Sequence, residues 1–187
     1  MGTSVSQRSP DTPPWNAARE AYEDPDIPMD AALRNIWRAC DSDGQTLSEF
    51  LSAPAVAELG NIAARASSAS EVLHEAARLI VREKASSLAT DIAKRALAHC
   101  AGQPEAAALY ARSLFAEATN YLASRDISGF VGPNTHLATV QDSVRFKSEL
   151  MRTSEAVVRQ VTLPNTFDAR SWAGYVRDVV ASLKRRS

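Results

Sequence analysis

The sequence predicts an all-α fold: a single-domain bundle of six or seven mostly antiparallel helices around a long central helix at about 71–101, with a disordered N-terminal arm. Three observations lead there. The stretch 71–101 contains neither Gly nor Pro, enough for a helix of about 45 Å at about 1.5 Å per residue. Alanine, the best helix former, is the commonest residue, while strand formers are few and scattered. Elsewhere the apolar residues recur at three- and four-residue steps, the spacing of one helix face.

The central stretch carries Leu73, Ala76, Ala77, Ile80, Leu88, Ile92, Ala96 and Cys100 on one stripe, with Ile80 and Ile92 expected deep in the core. Ser68 and Glu71 stand in capping-box spacing. Gly102 and Pro104 supply a left-handed cap and a stop. Arg82 to Ser87 interrupts the stripe with charge and two serines, but offers no turn residue, so one helix is expected rather than two.

Residues 1–28 are a different material from 29–187, the expected helical domain. Five of the nine prolines fall in this arm, among Ser, Thr and acids. Such a composition buries too little apolar surface to offset its ordering entropy. Trp15 and Tyr22 are its large apolar side chains, and 15–22 is expected to form at most a turn or two docking on the core.

Leu33, Ile36, Trp37 and Cys40 then define a helix of about three turns. Thr46 and Glu49 repeat the capping-box spacing ahead of Phe50 and Leu51. Pro54 fits a first turn capped by Ser52, with Val56, Leu59, Ile62 and Ala63 inward. Beyond Pro104, a stripe of Ala107, Tyr110, Leu114, Ala118 and Tyr121 runs to about Ser124. Asn134 is the expected cap of a helix with Leu137, Val140, Val144, Met151 and Val158 inward, widened by Leu150, Val157 and Val161. The last helix opens near Asp168 and buries Trp172, Val176, Val179 and Leu183.

Charge and composition narrow the function. The net charge is −1 and the pI about 6.3, unlike the basic footprint of a nucleic-acid binder. Cys40 and Cys100 lie on helical stripes and form no disulfide framework. With no long apolar run and no signal-peptide core, a cytoplasmic protein is expected. Arginine outnumbers lysine, which fits a bacterial source.

Motifs with chemistry fail on spacing. Asp41, Asp43 and Gly44 resemble part of a calcium loop, but Phe50 stands where the closing Glu belongs. Glu71 and His74 have the Glu-x-x-His spacing of di-iron bundles, which require two such pairs. Arg95 and His99 come near the Arg…His signature of helical HEPN-type ribonucleases, but with three intervening residues where four are required. Gly2 to Ser6 fits the N-myristoylation pattern, without the polybasic patch that would secure an anchor.

The function expected is therefore non-enzymatic: a helical interaction protein, an adaptor or subunit of a bacterial cytoplasmic complex. No catalytic, cofactor or metal residue is assigned. A protein partner is expected, and neither nucleic acid nor a membrane. The expected partner contacts are Trp15 in the arm, with Arg125, Asp126, Phe130 and Val131 in the loop 125–133. There Gly129 and Gly132 free the backbone, and Phe130 either plugs the bundle end or anchors a partner. The alternatives are a nucleic-acid-associated helical subunit using outward arginines, or a helical, HEPN-like enzyme with a degenerate site around His99 or His136.

Overall fold

A computed structural model describes residues 13–41, 47–82, 88–127, 129–132 and 135–185. Among them the chain is all-helical, with nine helices packed on one core. Two more helices are present than the larger number expected, one in the arm and one from the central stretch.

Helix α1 (Pro13–Glu23) lies within the arm. Pro13 and Pro14 occupy its first turn, where a missing amide proton costs nothing. Trp15, Ala18, Ala21 and Tyr22 then fall on one face, and all four are buried. The disordered arm is thus corrected from residue 13 onward, and residues 1–12 lie outside the description. The prolines at 13 and 14 start a helix rather than break one. α1 packs on α2 (Met29–Asp41), and Asn35 Nδ2 donates to the Ala17 carbonyl at 3.2 Å.

α2 buries Leu33, Ile36, Trp37 and Cys40 as the spacing predicts. The short α3 (Leu47–Leu51) buries Leu47 and Leu51. α4 (Pro54–Arg65) starts on Pro54, with Ala53 rather than Ser52 at the cap position and no side-chain cap bond. Its buried face includes Gly60, where a Cβ would lie 2.3 Å from the Phe167 ring. The bare backbone lets that ring lie between α4 and Trp172, on which it stacks at 5.3 Å.

The long helix is corrected to two: α5 (Ala69–Arg82) and α6 (Leu88–Cys100). A straight helix would hold residues 69 and 102 about 50 Å apart. Instead, a Cβ on Gly102 would lie 3.1 Å from the Ala69 nitrogen, so the start of α5 meets the end of α6 and the two run antiparallel. Gly102, at φ 73°, holds the left-handed conformation expected of it.

The centre belongs instead to α7 (Ala106–Ile127), flanked along its length by α6 and α8 (Val140–Val158) and touched by α2 and α4. Tyr110, Leu114, Phe115, Ala118 and Leu122 are each no more than 2% exposed. α7 is apolar on several sides at once, as befits a helix surrounded by others. A buried polar knot joins three of these helices. Trp37 Nε1 donates to Thr119 Oγ1 at 3.1 Å. Thr119 Oγ1 lies 2.8 Å from the Phe115 carbonyl and 3.1 Å from Ser154 Oγ of α8.

Thr139, not Asn134, caps α8, through a capping box with Asp142; residue 134 lies outside the description. The inward face also differs from the one expected. Ser143, Phe146, Leu150, Ser154 and Val158 point inward, while Val140 and Val144 stand 73% and 51% exposed. α9 (Ala169–Leu183) opens on Asp168, whose carboxylate accepts from the amides of Arg170 and Ser171. The four residues expected inward on α9 are all buried, and Trp172 Nε1 donates to the Leu51 carbonyl at 2.8 Å.

Candidate interaction surface

Of the expected contacts, Trp15 is buried and Phe130 and Val131 are half-buried, while Arg125 is exposed in the last turns of α7, which runs through part of the expected loop to Ile127. Trp15 is 3% exposed, so it is a core residue and not a grip for a partner. The Arg125 guanidinium lies over its indole, 4.3 Å from the ring centre, a cation–π contact that fixes both groups. Phe130 is half-buried and stacks on Tyr22 at 5.1 Å. Val131 is half-buried against the same core. Phe130 thus packs partly against the core and keeps part of its ring exposed. Arg125 keeps an exposed side chain, at the rim of a cleft of about 260 Å³ between α3, α6 and α7. The Asp126 side chain lies outside the description.

Of the histidines, His99 has a carboxylate partner. His99 Nε2 is 3.2 Å from Glu117 Oε1. Glu117 is 7% exposed and His99 largely exposed, so the imidazole supplies a buried carboxylate of α7 with a partner from α6. Arg95, one turn earlier, is exposed. His136 sits edge-on to Phe146 at 6.1 Å beside a cleft of about 200 Å³ that Asp142 and Arg145 also line. His74 is exposed, and Glu71 is committed to the helix start. The Glu71 amide donates to Ser68 Oγ at 3.2 Å, while its carboxylate accepts from the Ser67 amide and hydroxyl at 2.8 Å each. Those donors hold the Glu71 carboxyl below the usual carboxylate range. Burial raises the Cys100 thiol to about 11, so it stays protonated and unreactive.

α5 is where the surface is unusual. Its apolar residues form two adjacent rows. Val72, Ala76 and Leu79 are buried against the bundle, and neighbours of α5 are α4 and α6. Leu73, Ala77, Ile80 and Val81 form the second row, rotated by about one residue, or about 100°. Leu73 is 54% and Val81 78% exposed, Ala77 is exposed and Ile80 half-buried. Ile80 is therefore not the deep core residue expected, whereas Ile92 at 3% exposure is. The apolar arc of α5 is too wide for its neighbours to cover, and helical spacing alone could not choose which row goes inward. Val81 and the outward direction of Leu73 were missed for that reason.

Beside this face runs a groove of about 330 Å³ between α4 and α5. Arg65 bridges Glu75 at 2.8 Å and Glu58 at 3.5 Å there. With Arg78 and Arg82 on the same wall, the groove alternates sign and offers no continuous basic track. Among the described residues no helix is long and apolar enough to cross a membrane. No known protein family, curated protein or solved structure matches the chain.

Proposed function

We propose that this chain is a non-enzymatic helical interaction protein, an adaptor or subunit of a bacterial cytoplasmic complex, and that it meets its partner through α5. The observation that carries this reading is the second apolar row of α5. Leu73, Ala77 and Val81 stand exposed and contiguous on one helix face, whereas surface apolar groups are ordinarily scattered singly. An amphipathic helix face presented this way suits helix-to-helix docking. The arginine bias and two buried free thiols favour the bacterial, cytoplasmic setting.

The alternating charge of the groove beside α5 favours a protein over a nucleic acid. The test is capture from the native host by tagged protein, with and without nuclease, comparing wild type with a Leu73→Gln, Val81→Glu double variant. Recovery of a protein partner that resists nuclease and is lost with the double variant supports the reading. Identical recovery by both forms rejects α5 as the interface. Nuclease-sensitive recovery turns the choice to the nucleic-acid-associated subunit.

A further inference from the structure

The cleft between α3, α6 and α7 differs from the other two in its charge. The groove beside α5 sets Arg65, Arg78 and Arg82 against Glu58 and Glu75. The cleft beside His136 sets Arg145 against Asp24, Asp142 and Glu149. Between α3, α6 and α7, Arg125 is the one charged residue among the described lining, and Leu47, Phe50, Leu88 and Leu122 supply apolar walls. Phe50 is 38% exposed and Leu88 half-buried, so part of this apolar surface faces the opening.

Arg125 is also held in place. Its guanidinium lies over the Trp15 indole at 4.3 Å, and the indole is buried and therefore fixed. The planar group carries its five N–H donors around its edge. Their fork matches the oxygens of a carboxylate or a phosphate. Tyr121, one turn earlier on α7, lines the same wall and is half-buried. The volume behind the guanidinium sets the size of what can enter. About 260 Å³ is less than the span of about 300–1,000 Å³ usual for drug-sized ligands. At about 30 Å³ for each water-sized group, it takes a body of about eight heavy atoms.

We propose that this cleft binds a small amphipathic anion. Its apolar chain or ring, of about eight heavy atoms, lies against Phe50, Leu88 and Leu122, and its carboxylate or phosphate meets Arg125. The site is separate from the second row of α5, so either can fail without the other.

The test uses the full chain with octanoate, octyl phosphate, octylammonium and acetate. Octanoate or octyl phosphate should bind one to one in titration calorimetry, with a dissociation constant below about 1 mM. Acetate lacks the apolar body and octylammonium has the wrong charge, so each should bind about tenfold more weakly or worse. Amide resonances of Leu88, Tyr121 and Leu122 should shift on binding. Arg125→Gln should weaken binding about tenfold or more, as loss of a charge-assisted pair does. That variant also loses the contact with Trp15, so Leu88→Trp provides a second check. It fills the cleft from a half-buried position, leaves Arg125 in place and should weaken binding as much. Val81→Glu lies outside the cleft lining and should bind as the wild type does, which keeps this test apart from that of the α5 interface.

Binding of either anion on these terms supports the proposal, and the preferred one names the head group. No binding of either below about 1 mM overturns it, as does equal binding of octylammonium. Binding that survives both Arg125→Gln and Leu88→Trp also overturns it, because the ligand then sits elsewhere.

Discussion

α7 and α5 are opposite solutions to the same problem of what to do with apolar side chains on a helix. α7 spreads them around its circumference and has α2, α4, α6 and α8 to cover them. α5 concentrates them in a wide arc at the edge of the molecule, with α4 and α6 as its neighbours, and one row remains outside. A helix with one distinctly apolar side looks like the centre of a bundle, yet here it is the peripheral one. A helix at the centre needs no polar face.

The largest effects should therefore come from residues that meet α7 or the aromatic core beside it. Trp172→Ala removes a side chain that touches Tyr110, Phe167 and Tyr175 and donates to the Leu51 carbonyl. A loss of about 3–5 kcal/mol in denaturant unfolding is expected. Trp15→Ala should also be costly, about 3 kcal/mol or more, because the indole is buried against the body of the bundle. A loss below about half a kcal/mol there would return α1 to the status of a loose arm.

Gly60→Ala should cost about 1–3 kcal/mol, the overpacking range. The new methyl meets the Phe167 ring within a buried stack. Pairing it with Phe167→Leu should recover part of the loss if the clash is the cause. A neutral Gly60→Ala would mean that the ring moves freely.

A smaller contribution comes from the caps. Glu71, Asp142 and Asp168 each accept hydrogen bonds at a helix start, and their carboxyls are held below the usual range, Asp168 most strongly, chiefly by the Ser171 and Thr166 hydroxyls. A depressed folded-state pKa adds stability above the unfolded value, near about 4, that is lost as pH falls through the folded value. Stability should therefore decline below about pH 4. Asp168→Asn should flatten that decline, and an unchanged acid limb would remove Asp168 from the account.

The smallest expected effect is on α5. Val81→Glu should shift monomer stability by no more than about half a kcal/mol, because the side chain is 78% exposed. A loss of several kcal/mol would mean that the second row of α5 is core.

Most helices were legible in the sequence because their signals are local. Pro54, Gly102 and Asp168 mark ends, and the stripes of α2, α4 and α9 match their buried faces. The errors share a non-local cause. Pro13 and Pro14 read as disorder in composition, yet serve as a first turn because Trp15 and Tyr22 find a core to enter. Leu73 and Val72 are equally apolar, and only the position of α4 and α6 decides which is covered. Val140 and Val144 keep helical spacing, but the packing of α8 on its neighbours covers Ser143, Phe146 and Leu150 and leaves those two valines outside. Phe130 was expected either to plug the bundle or to anchor a partner; it stacks on Tyr22, more than a hundred residues earlier, and stays half-buried.

Native-state hydrogen exchange, resolved by residue in dilute protein, compares the two helices most directly. Amides of α7 should exchange only through global unfolding, with opening free energies equal to the stability from denaturant melts. Amides of α5, at the edge and half uncovered, should open locally at a distinctly lower free energy. Equal protection of α5 and α7 in dilute monomer would contradict the account, because it would make α5 part of the same cooperative core.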